Sequence, residues 1–407
     1  MSSSHPHHVS RRRVFYIPGY DPIHPRRYRE LYRKEGAAQA AISGYEIGLK
    51  PKTGEGHYGW QVDAQIDGRG VHSDIDVLVW SDIVRDSMDA SIPGTYAQLI
   101  RTAWTYIATG ALRRLMRLRK GPVIAALYPV GMLLAQLLIA LAIWAALWRI
   151  GLGLAGTAGA WGGAALGSVA FVVVLRWFKS KDGKFFAYYL MHDYAYSAAS
   201  RGRNPAPLEA RMAAFGDSIS AALRDDVDEV LVVGHSSGAH LGVSILADLI
   251  RAGRVPEHGP ALSFLSLGQV VPMVSFLPEA DRLRADLHYL SARPELAWVD
   301  VTAPGDGCAF ALCDPVSVSG VAPADKRWPL VFSAAFTQTL SAERWAELRW
   351  RFFRLHFQYM CAFDRPKDYD YFQITAGPQT LATRYADRPP SKSRIDHAVS
   401  KYTSMAA

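Results

Sequence analysis

The sequence predicts an α/β fold with a mostly parallel, doubly wound sheet, into which a transmembrane helical hairpin is inserted. In the second half of the chain, short apolar runs alternate with helical stretches, which is typical of parallel strands covered on both faces. One such run, Glu229–Val233, leads through a glycine-rich turn into a helix. Between residues 122 and 175, the only charged residue is Arg149. The alternating pattern and the strand that leads into a helix predict the sheet, and the nearly uncharged region predicts the hairpin.

The first part of the chain supplies further predicted strands. Val14–Ile17 is a β-rich run that ends at Pro18-Gly19-Tyr20, and a Pro-Gly turn of this kind exposes backbone N–H groups. Residues 25–42 have the pattern of a helix. Two runs of alternating polarity flank Asp67-Gly68, which predicts a β-hairpin. These elements extend the predicted sheet ahead of the apolar region.

Net charge and composition restrict the classes of partner. The 407 residues are half hydrophobic, and the formal net charge is +8. Such a charge favours nucleic acid or an anionic membrane surface as partner. The positive residues concentrate beside the apolar region and in an early helix, and we recognise no nucleic-acid-binding module. We therefore predict membrane lipids as partners and no nucleic acid.

Cysteine usage gives no indication of a metal or a disulfide framework. Cys308 and Cys313 lie near each other, but with Cys361 as the third cysteine no further ligand or histidine cluster completes a zinc site. The sequence also lacks a dinucleotide fingerprint and a P-loop. We expect neither a metal ion nor a cofactor.

The apolar region is long enough for two membrane crossings. Leu127–Trp148 alone spans 22 uncharged residues, about 33 Å as a helix against about 30 Å of hydrocarbon. Ile150–Leu175 is again uncharged, so we predict two transmembrane helices with a short turn near Arg149. A soluble pair of core helices would have to be buried on all sides, which a chain of this length seldom provides.

Flanking charges predict the orientation of the hairpin. Five basic residues lie just before it and four just after it, against the single Arg149 in the turn. By the positive-inside rule both flanks are cytoplasmic, at the inner or plasma membrane in a bacterial cell. Gly159, Gly163 and Gly167 fit the small-residue packing pattern, either within the hairpin or between copies of the chain in a homo-oligomer.

The pentapeptide Gly234-His235-Ser236-Ser237-Gly238 is the strongest local motif. It lies between the apolar strand and the following helix, the setting of a nucleophile elbow. The sharp turn requires small residues on both sides so that the Ser236 hydroxyl is accessible. A bare G-x-S-x-G pattern is common, but its position between strand and helix favours a catalytic serine over a structural glycine turn.

The elbow, the order of the strands and the Pro18-Gly19-Tyr20 loop together resemble an α/β-hydrolase, specifically a membrane-inserted lipase- or esterase-like member. The resemblance covers roughly residues 12–90 and 205–380. It implies a serine hydrolase that cleaves carboxylic esters through an acyl-enzyme, with a triad in the chain order Ser, acid, His.

The resemblance assigns the acid and the base by position. The acid belongs on a loop after a late strand, which favours Asp306, while Asp314 and Asp300 stay open as alternatives. The base follows the acid, where His356 is favoured over His397. His356 departs from the family pattern because it falls within a predicted helix spanning residues 341–363.

The resemblance also assigns the oxyanion hole, whose two N–H donors stabilise the charge that develops on the substrate. One donor is the backbone of Ser237, and the other is that of Gly19 or Tyr20. The loop lacks the glycine-rich form seen in many lipases, so the second donor stays open between these two residues.

The setting at a membrane favours acyl esters of lipids as substrates, cleaved by a lipase, lysophospholipase or acyl-esterase. The motif does not separate ester from thioester or amide cleavage. Two other functions stay open: a catalytically inactive docking or regulatory protein that keeps the hydrolase scaffold, and an acyltransferase.

The sequence also predicts how the chain is divided. We place a disordered tail at residues 1–12, the hydrolase domain at 13–120 and 179–383, the hairpin at 121–178, and a loose polar tail at 384–407.

Overall fold

An eight-stranded sheet forms the centre of the fold. The computed structural model describes residues 8–52, 56–88 and 91–406. The strands are β1 (Arg11–Ile17), β2 (Glu46–Pro51), β3 (Gly59–Ile66), β4 (Arg69–Val77), β5 (Glu229–His235), β6 (Ala261–Leu267), β7 (Leu296–Thr302) and β8 (Leu330–Ser333). Their order across the sheet is β2-β3-β4-β1-β5-β6-β7-β8.

Most neighbouring strands are parallel. Only β2 with β3 and β3 with β4 pair in the antiparallel sense, at one edge of the sheet, and the other five pairs are parallel. The predicted β-hairpin around Asp67-Gly68 is confirmed. It is formed by β3 and β4, and Asp67 and Gly68 both have a positive φ in its turn. The prediction of a mixed α/β fold around a mostly parallel sheet is therefore confirmed.

Helices connect and flank these strands. The first nine helices are α1 (Arg26–Ser43), α2 (Ser81–Ser87), α3 (Ile92–Ala108), α4 (Ala111–Leu118), α5 (Lys120–Ser180), α6 (Asp182–Phe185), α7 (Ala187–Ala199), α8 (Ala206–Ala222) and α9 (Gly238–Arg251). The later ones are α10 (Val271–Ser275), α11 (Asp281–Ala292), α12 (Pro315–Val318), α13 (Phe336–Thr339), α14 (Ala342–Leu348), α15 (Phe352–His356), α16 (Tyr371–Ala376) and α17 (Leu381–Arg384). A 3-10 helix covers Gln358–Met360.

Two hydrophobic cores cover the two faces of the sheet. Successive side chains of a strand point to opposite faces, and β1 divides accordingly: Phe15 and Ile17 belong to one core, while Val14 and Tyr16 belong to the other. Each fully buried side chain of this size contributes about 1.5–3 kcal/mol to folding. All seven residues of β5 are buried, so this strand lies in the interior of the sheet between β1 and β6.

The long helix α5 is the other dominant feature. It is the one helix within residues 8–52, 56–88 and 91–406 that is long and apolar enough to cross a membrane. Only 17% of the residues in its most apolar stretch are buried, unlike those of a core helix. Its length and composition agree with the prediction of an apolar membrane segment between β4 and β5.

The helix is interrupted at Ala155 and Gly156, where the backbone leaves helical geometry. Gly156 has a φ of 59°, a conformation that glycine adopts without steric cost. Residues on the two sides of this interruption approach each other, and Trp144 Nε1 donates a hydrogen bond to Ser168 Oγ at 3.3 Å. The expected turn near Arg149 is therefore wrong, because Arg149 lies inside the helix.

Both predicted tails need correction at their borders. Met1–His7 lie outside the described residues, but β1 already begins at Arg11. Arg12 is buried because its guanidinium pairs with Glu229 of β5 at 2.6 Å. At the other end, the segment predicted to be loose packs along the domain: the Val399 side chain is buried, and Ser404 accepts a hydrogen bond from Arg284.

The predicted helix over residues 341–363 is also wrong. The chain forms the separate short helices α14 and α15, followed by the 3-10 helix. His356 is the last residue of α15 rather than part of a long helix. These breaks separate the short helices, and Leu355 and Tyr359 both lie in the core beside the sheet. The breaks also bring His356 toward the ends of the strands.

Parallel pairing positions the functional loops. In register, Ile17 lies opposite Gly234, and Leu267 lies opposite His235 and Val301. The segments that follow β1, β5, β6 and β7 consequently leave the sheet at the same edge. Residues far apart in sequence meet there.

Candidate active site

Ser236 occupies the turn between β5 and α9 in a left-handed backbone conformation, with a φ of 56°. A non-glycine residue held in this region costs about 1–3 kcal/mol, and such strain concentrates at functional sites. The Ser236 N–H donates to the carbonyl oxygen of Leu267 at 2.9 Å, which fixes the turn against β6.

The two glycines of the motif are required by close backbone contacts. A Cβ atom on Gly238 would overlap the carbonyl oxygen of Ile17, and one on Gly234 would lie only 2.7 Å from the carbonyl oxygen of Gly238. No real Cβ atom tolerates such distances, so larger residues would force β1, β5 and α9 apart. The G-x-S-x-G spacing thus has a steric cause in this fold.

Asp306 and His356 form a direct hydrogen-bonded pair. Asp306 follows β7 and is buried, and its Oδ2 atom lies 2.7 Å from Nδ1 of His356. Burial opposes ionisation of Asp306, but His356 and the hydrogen bonds to the carboxylate outweigh it and lower its pKa below the usual range. Two of the residues predicted for the site are therefore brought together across 50 positions of sequence.

The pairing determines which nitrogen of His356 is available. A carboxylate only accepts hydrogen bonds, so Nδ1 carries the hydrogen and donates it to Asp306. In neutral imidazole the other nitrogen, Nε2, then has a free lone pair. Among the described residues this buried atom has no hydrogen-bond partner, which suits a base that accepts a proton.

His235 and Tyr359 support this pair, and sequence reasoning gave neither of them a role. Nε2 of His235 lies 3.0 Å from the carbonyl oxygen of His356, and the two rings are 4.7 Å apart. Burial, followed by the charge of His356, lowers the pKa of His235 to about 3, so His235 stays neutral. The Tyr359 hydroxyl donates to Asp306 Oδ2 at 3.0 Å. The presence of His235 inside the motif was the available signal for its role.

The predicted oxyanion residues surround the serine. A Cβ atom on Gly19 would lie 2.9 Å from Ser236 Cβ and 3.4 Å from Ser236 Oγ, so the loop after β1 packs directly on the nucleophile turn. The Tyr20 carbonyl accepts a hydrogen bond from Tyr189 of α7 at 2.5 Å. Ser237 begins α9. Gly19, Tyr20 and Ser237 all line the cavity described next.

A cavity of about 880 Å³ contains the site. Ser236 and His356 line it, together with the three residues predicted for the oxyanion hole. Its wall also includes residues at both ends of α5: Pro122 near the start, and Asp182, Gly183 and Phe186 just after the end. Its volume falls in the range of about 300–1,000 Å³ that small-molecule sites occupy.

Two further groups near His356 were not anticipated. Asp193 of α7 lines the same cavity, and burial raises its pKa to about 7, while the charge of His356 lowers it. It is the only acidic residue of α7 and lies next to Tyr194, an isolation that was visible in the sequence. Cys308 also lines the cavity, and its Sγ lies within 4.8 Å of ligand atoms of Asp306 and His356.

This set of Asp306, Cys308 and His356 is poorly suited to holding a metal ion. Both Asp306 oxygens already accept hydrogen bonds, from the Cys308 amide and from the His356 ring respectively. Burial raises the pKa of the Cys308 thiol, whereas a metal requires the thiolate.

The alternative acids and base have other surroundings. Asp314 caps α12 by accepting hydrogen bonds from two backbone amides of that helix, and it pairs with Lys326 at 2.6 Å. Asp300 lies within β7 and accepts a hydrogen bond from Ser266; burial raises its pKa to about 8. His397 is exposed and does not line the cavity. The geometry therefore favours Asp306 and His356 over these alternatives.

Comparisons of the chain with protein-family models, with curated proteins and with solved structures find no match.

Proposed function

We propose that this chain is a membrane-anchored serine hydrolase, similar to α/β-hydrolases, that cleaves acyl esters of lipids. One observation carries the proposal. A single cavity is lined by Ser236, by His356 in its hydrogen bond to Asp306, and by residues at both ends of the long apolar helix. The chemical groups of an acyl-transfer site and the entry to the apolar segment thus share one space.

The proposed reaction begins with proton transfer from Ser236 to Nε2 of His356. The serine oxygen attacks the ester carbonyl, and the new charge on the carbonyl oxygen is stabilised by the N–H groups of Ser237 and of Gly19 or Tyr20. His356 then returns the proton to the departing alcohol, which leaves an acyl-enzyme. Water, activated by the same histidine, releases the acid.

Asp306 acts through His356 in this scheme. Its lowered pKa keeps it ionised at neutral pH. The carboxylate holds Nδ1 protonated and stabilises the imidazolium that forms during each proton transfer. Tyr359 fixes the same carboxylate oxygen, and the neutral ring of His235 holds the backbone of His356.

For the apolar segment we propose a transmembrane helical hairpin. Support comes from the interruption at Ala155 and Gly156 and from the close packing across it, where a Cβ atom on Gly167 would lie 2.9 Å from the Trp144 ring. Gly159, Gly163 and Gly167 all lie against residues on the other side of the interruption. Their face of the helix is therefore covered by the same chain, which favours packing inside the hairpin over a homo-oligomer through this face. The basic flanks support a cytoplasmic catalytic domain.

Helix α3 provides a second argument for contact with lipid. Tyr96 of α3 donates a hydrogen bond to the carbonyl oxygen of Leu133 in α5, so the two helices lie side by side. On α3, Ile100, Trp104 and Ile107 are 68%, 72% and 62% exposed and lie on one face. Soluble surfaces seldom expose so many large apolar side chains together, and a bilayer would cover them.

Substrate class follows from the cavity lining. Apart from the catalytic groups, the wall contains many apolar and aromatic side chains, including Tyr106, Met273, Val274, Phe353 and Phe357. Such a wall suits an acyl chain better than a polar substrate. Because the cavity adjoins both ends of α5, an ester held in the bilayer would have a short path to Ser236.

The test compares wild type with Ser236→Ala in detergent micelles and in vesicles. We expect wild type to react with a fluorophosphonate probe and to hydrolyse lipid esters and short-chain esters. In Ser236→Ala we expect no labelling and a fall in kcat of about 10⁴–10⁶-fold, because the nucleophile is lost.

Three outcomes would contradict the proposal. A folded wild type that neither reacts with the probe nor cleaves any ester would indicate a scaffold without catalysis. Turnover that requires an added alcohol or amine would indicate an acyltransferase. Activity retained in Ser236→Ala would exclude this serine as the nucleophile.

A further inference from the structure

The segment Arg349–Arg354, which we call the aromatic-basic segment, is unusually exposed for its composition. It reads Arg-Trp-Arg-Phe-Phe-Arg, and Trp350 and Phe352 are 73% and 47% exposed. Large aromatic side chains in soluble domains are mostly covered. Neither residue lines the cavity, so substrate contact does not account for their exposure.

The segment is also positively charged. Two of its three arginines, Arg351 and Arg354, donate hydrogen bonds to the Glu347 carboxylate at 3.0 and 3.1 Å. Arg349 has a different neighbour, because its guanidinium lies 5.7 Å from the ring centre of Trp350. A net positive charge therefore surrounds the exposed aromatic rings.

Contacts place this segment at the base of α5. A Cβ atom on Gly307 would lie 3.1 Å from the Phe352 ring, and one on Gly121, at the start of α5, would lie 3.3 Å from Gly307. On the other side, the Phe353 ring is 4.8 Å from the ring of Phe186, which follows the end of α5. The aromatic-basic segment thus contacts Phe186, just after the apolar helix, directly, and it neighbours the start of that helix through Gly307.

We infer that the aromatic-basic segment is a second membrane contact, in which Trp350 and Phe352 enter the headgroup layer and Arg349 and Arg351 bind phosphates of anionic phospholipids. Aromatic rings beside arginines are typical of residues at this depth of a bilayer. The position at the base of α5 favours a lipid surface over a soluble protein partner, since α5 would bring the bilayer to this point. The inference rests on the proposed membrane anchorage.

Lipid contact at this segment would also position His356, the proposed base. Phe352 begins α15 and His356 ends it, so the exposed ring and the proposed base are one helical turn apart. Phe353, between them, lines the cavity. A bilayer that holds Phe352 would therefore also hold the cavity wall and the base at the surface from which a lipid ester enters.

The experiment uses the full chain reconstituted in vesicles of phosphatidylcholine with 30% phosphatidylglycerol. The Trp350 fluorescence is isolated as the difference between wild type and Trp350→Phe, and brominated lipids serve as quenchers. We expect the difference signal to be quenched by bromine near the headgroups and less by bromine at the chain ends. A signal that no brominated lipid quenches would overturn the inference.

Kinetics form the second arm. In Trp350→Ser/Phe352→Ser and in Arg349→Glu/Arg351→Glu, we expect hydrolysis of a long-chain ester in these vesicles to fall at least about tenfold, because each basic residue near an anionic surface adds severalfold to binding. Hydrolysis of p-nitrophenyl butyrate in solution should stay within about twofold of wild type. The matched control is Ile42→Ser/Arg69→Glu, two exposed residues that do not line the cavity.

The two arms separate this inference from the proposed function. Quenching of Trp350 without any ester hydrolysis would leave the lipid contact standing and remove the hydrolase. Hydrolysis by wild type with no quenching, or with equal vesicle activity in the variants and the control, would remove the lipid contact and leave the hydrolase.

Discussion

The two halves of the candidate site are built in different ways. Ser236 is held by the sheet itself, through β5, the start of α9 and backbone contacts with β1 and β6. His356 lies at the end of a five-residue helix and depends on two side chains from distant parts of the chain, His235 and Asp306, the latter held in turn by Tyr359. Local sequence therefore defines the serine, whereas tertiary contacts define the histidine.

This difference predicts different effects of substitutions in the two halves of the site. The serine turn has no room for added atoms, so substitutions there should act on stability first. The histidine is held by individual hydrogen bonds, so removal of one partner should act on turnover while the fold persists. The predictions below test that contrast, from the largest expected effect to the smallest.

The largest effect should come from Asp306→Asn. The amide can no longer hold Nδ1 of His356 as the protonated nitrogen, so kcat should fall by about 10³–10⁴-fold with little change in stability. The measurement is steady-state hydrolysis of a short-chain soluble ester. Asp314→Asn is the matched control because asparagine can still cap α12, and loss of activity in that variant instead would move the acid to Asp314.

The next effect should be on folding, in Gly238→Ala. The added methyl group would overlap the carbonyl oxygen of Ile17, and we expect a loss of about 2–4 kcal/mol in the free energy of unfolding. Gly48→Ala is the control, since its Cβ atom would lie 3.7 Å from its nearest neighbour outside the adjacent residues. Denaturant unfolding followed by circular dichroism makes the comparison. Equal stability of the two variants would contradict the tight packing of the elbow.

The smallest effect should come from Tyr359→Phe, which removes one hydrogen bond to Asp306. We expect kcat to fall about 3- to 10-fold with KM unchanged. That hydrogen bond helps to lower the pKa of Asp306, so its loss raises this pKa. The ionised carboxylate is the supporting form, and activity should consequently be lost at a higher pH than in wild type as the medium is acidified.

Tyr385→Phe is the control for this substitution, because its hydroxyl bonds to the Asp368 carbonyl outside the cavity. It should leave the kinetics and the pH profile unchanged. A Tyr359→Phe enzyme that loses stability but keeps its kcat would assign Tyr359 to a structural role alone, through the hydrogen bond that its hydroxyl accepts from the Ala303 amide at 2.9 Å.

Much of the fold could be predicted because its signals are local. The apolar run of β5 is buried along its whole length, and the Asp67-Gly68 turn needs the positive φ values that these residues tolerate. The interruption of the apolar helix lies at Ala155 and Gly156, whereas a turn was expected near Arg149 because charge was used as the marker. Glycine at position 156 permits the required backbone angle, and composition alone does not select it among the neighbouring glycines.

The candidate site likewise contains residues that local signals predict and residues that only tertiary contacts bring into place. Spacing identified Ser236, and chain order favoured Asp306 and His356, which the fold brings into contact. The hydrogen bond of His235 to the His356 carbonyl and the position of Asp193 in the cavity wall depend on contacts across many elements. Periodicity does not encode such contacts. α14 and α15 were predicted as one helix because the residues between them, Arg349–Arg351, include no glycine or proline that would mark the break.

If the proposed reaction takes place, the cavity that adjoins both ends of α5 would sort its two products. In the proposed reaction an ester from the bilayer is divided into an apolar acid and a more polar alcohol. The acyl chain of the acid can return along the apolar helix to the lipid phase, with its carboxylate at the polar boundary, while a polar alcohol can leave through the polar part of the cavity wall, where Arg27, Lys34 and Arg354 lie. Each half would depart toward the phase in which it dissolves, and this separation would draw the cleavage forward.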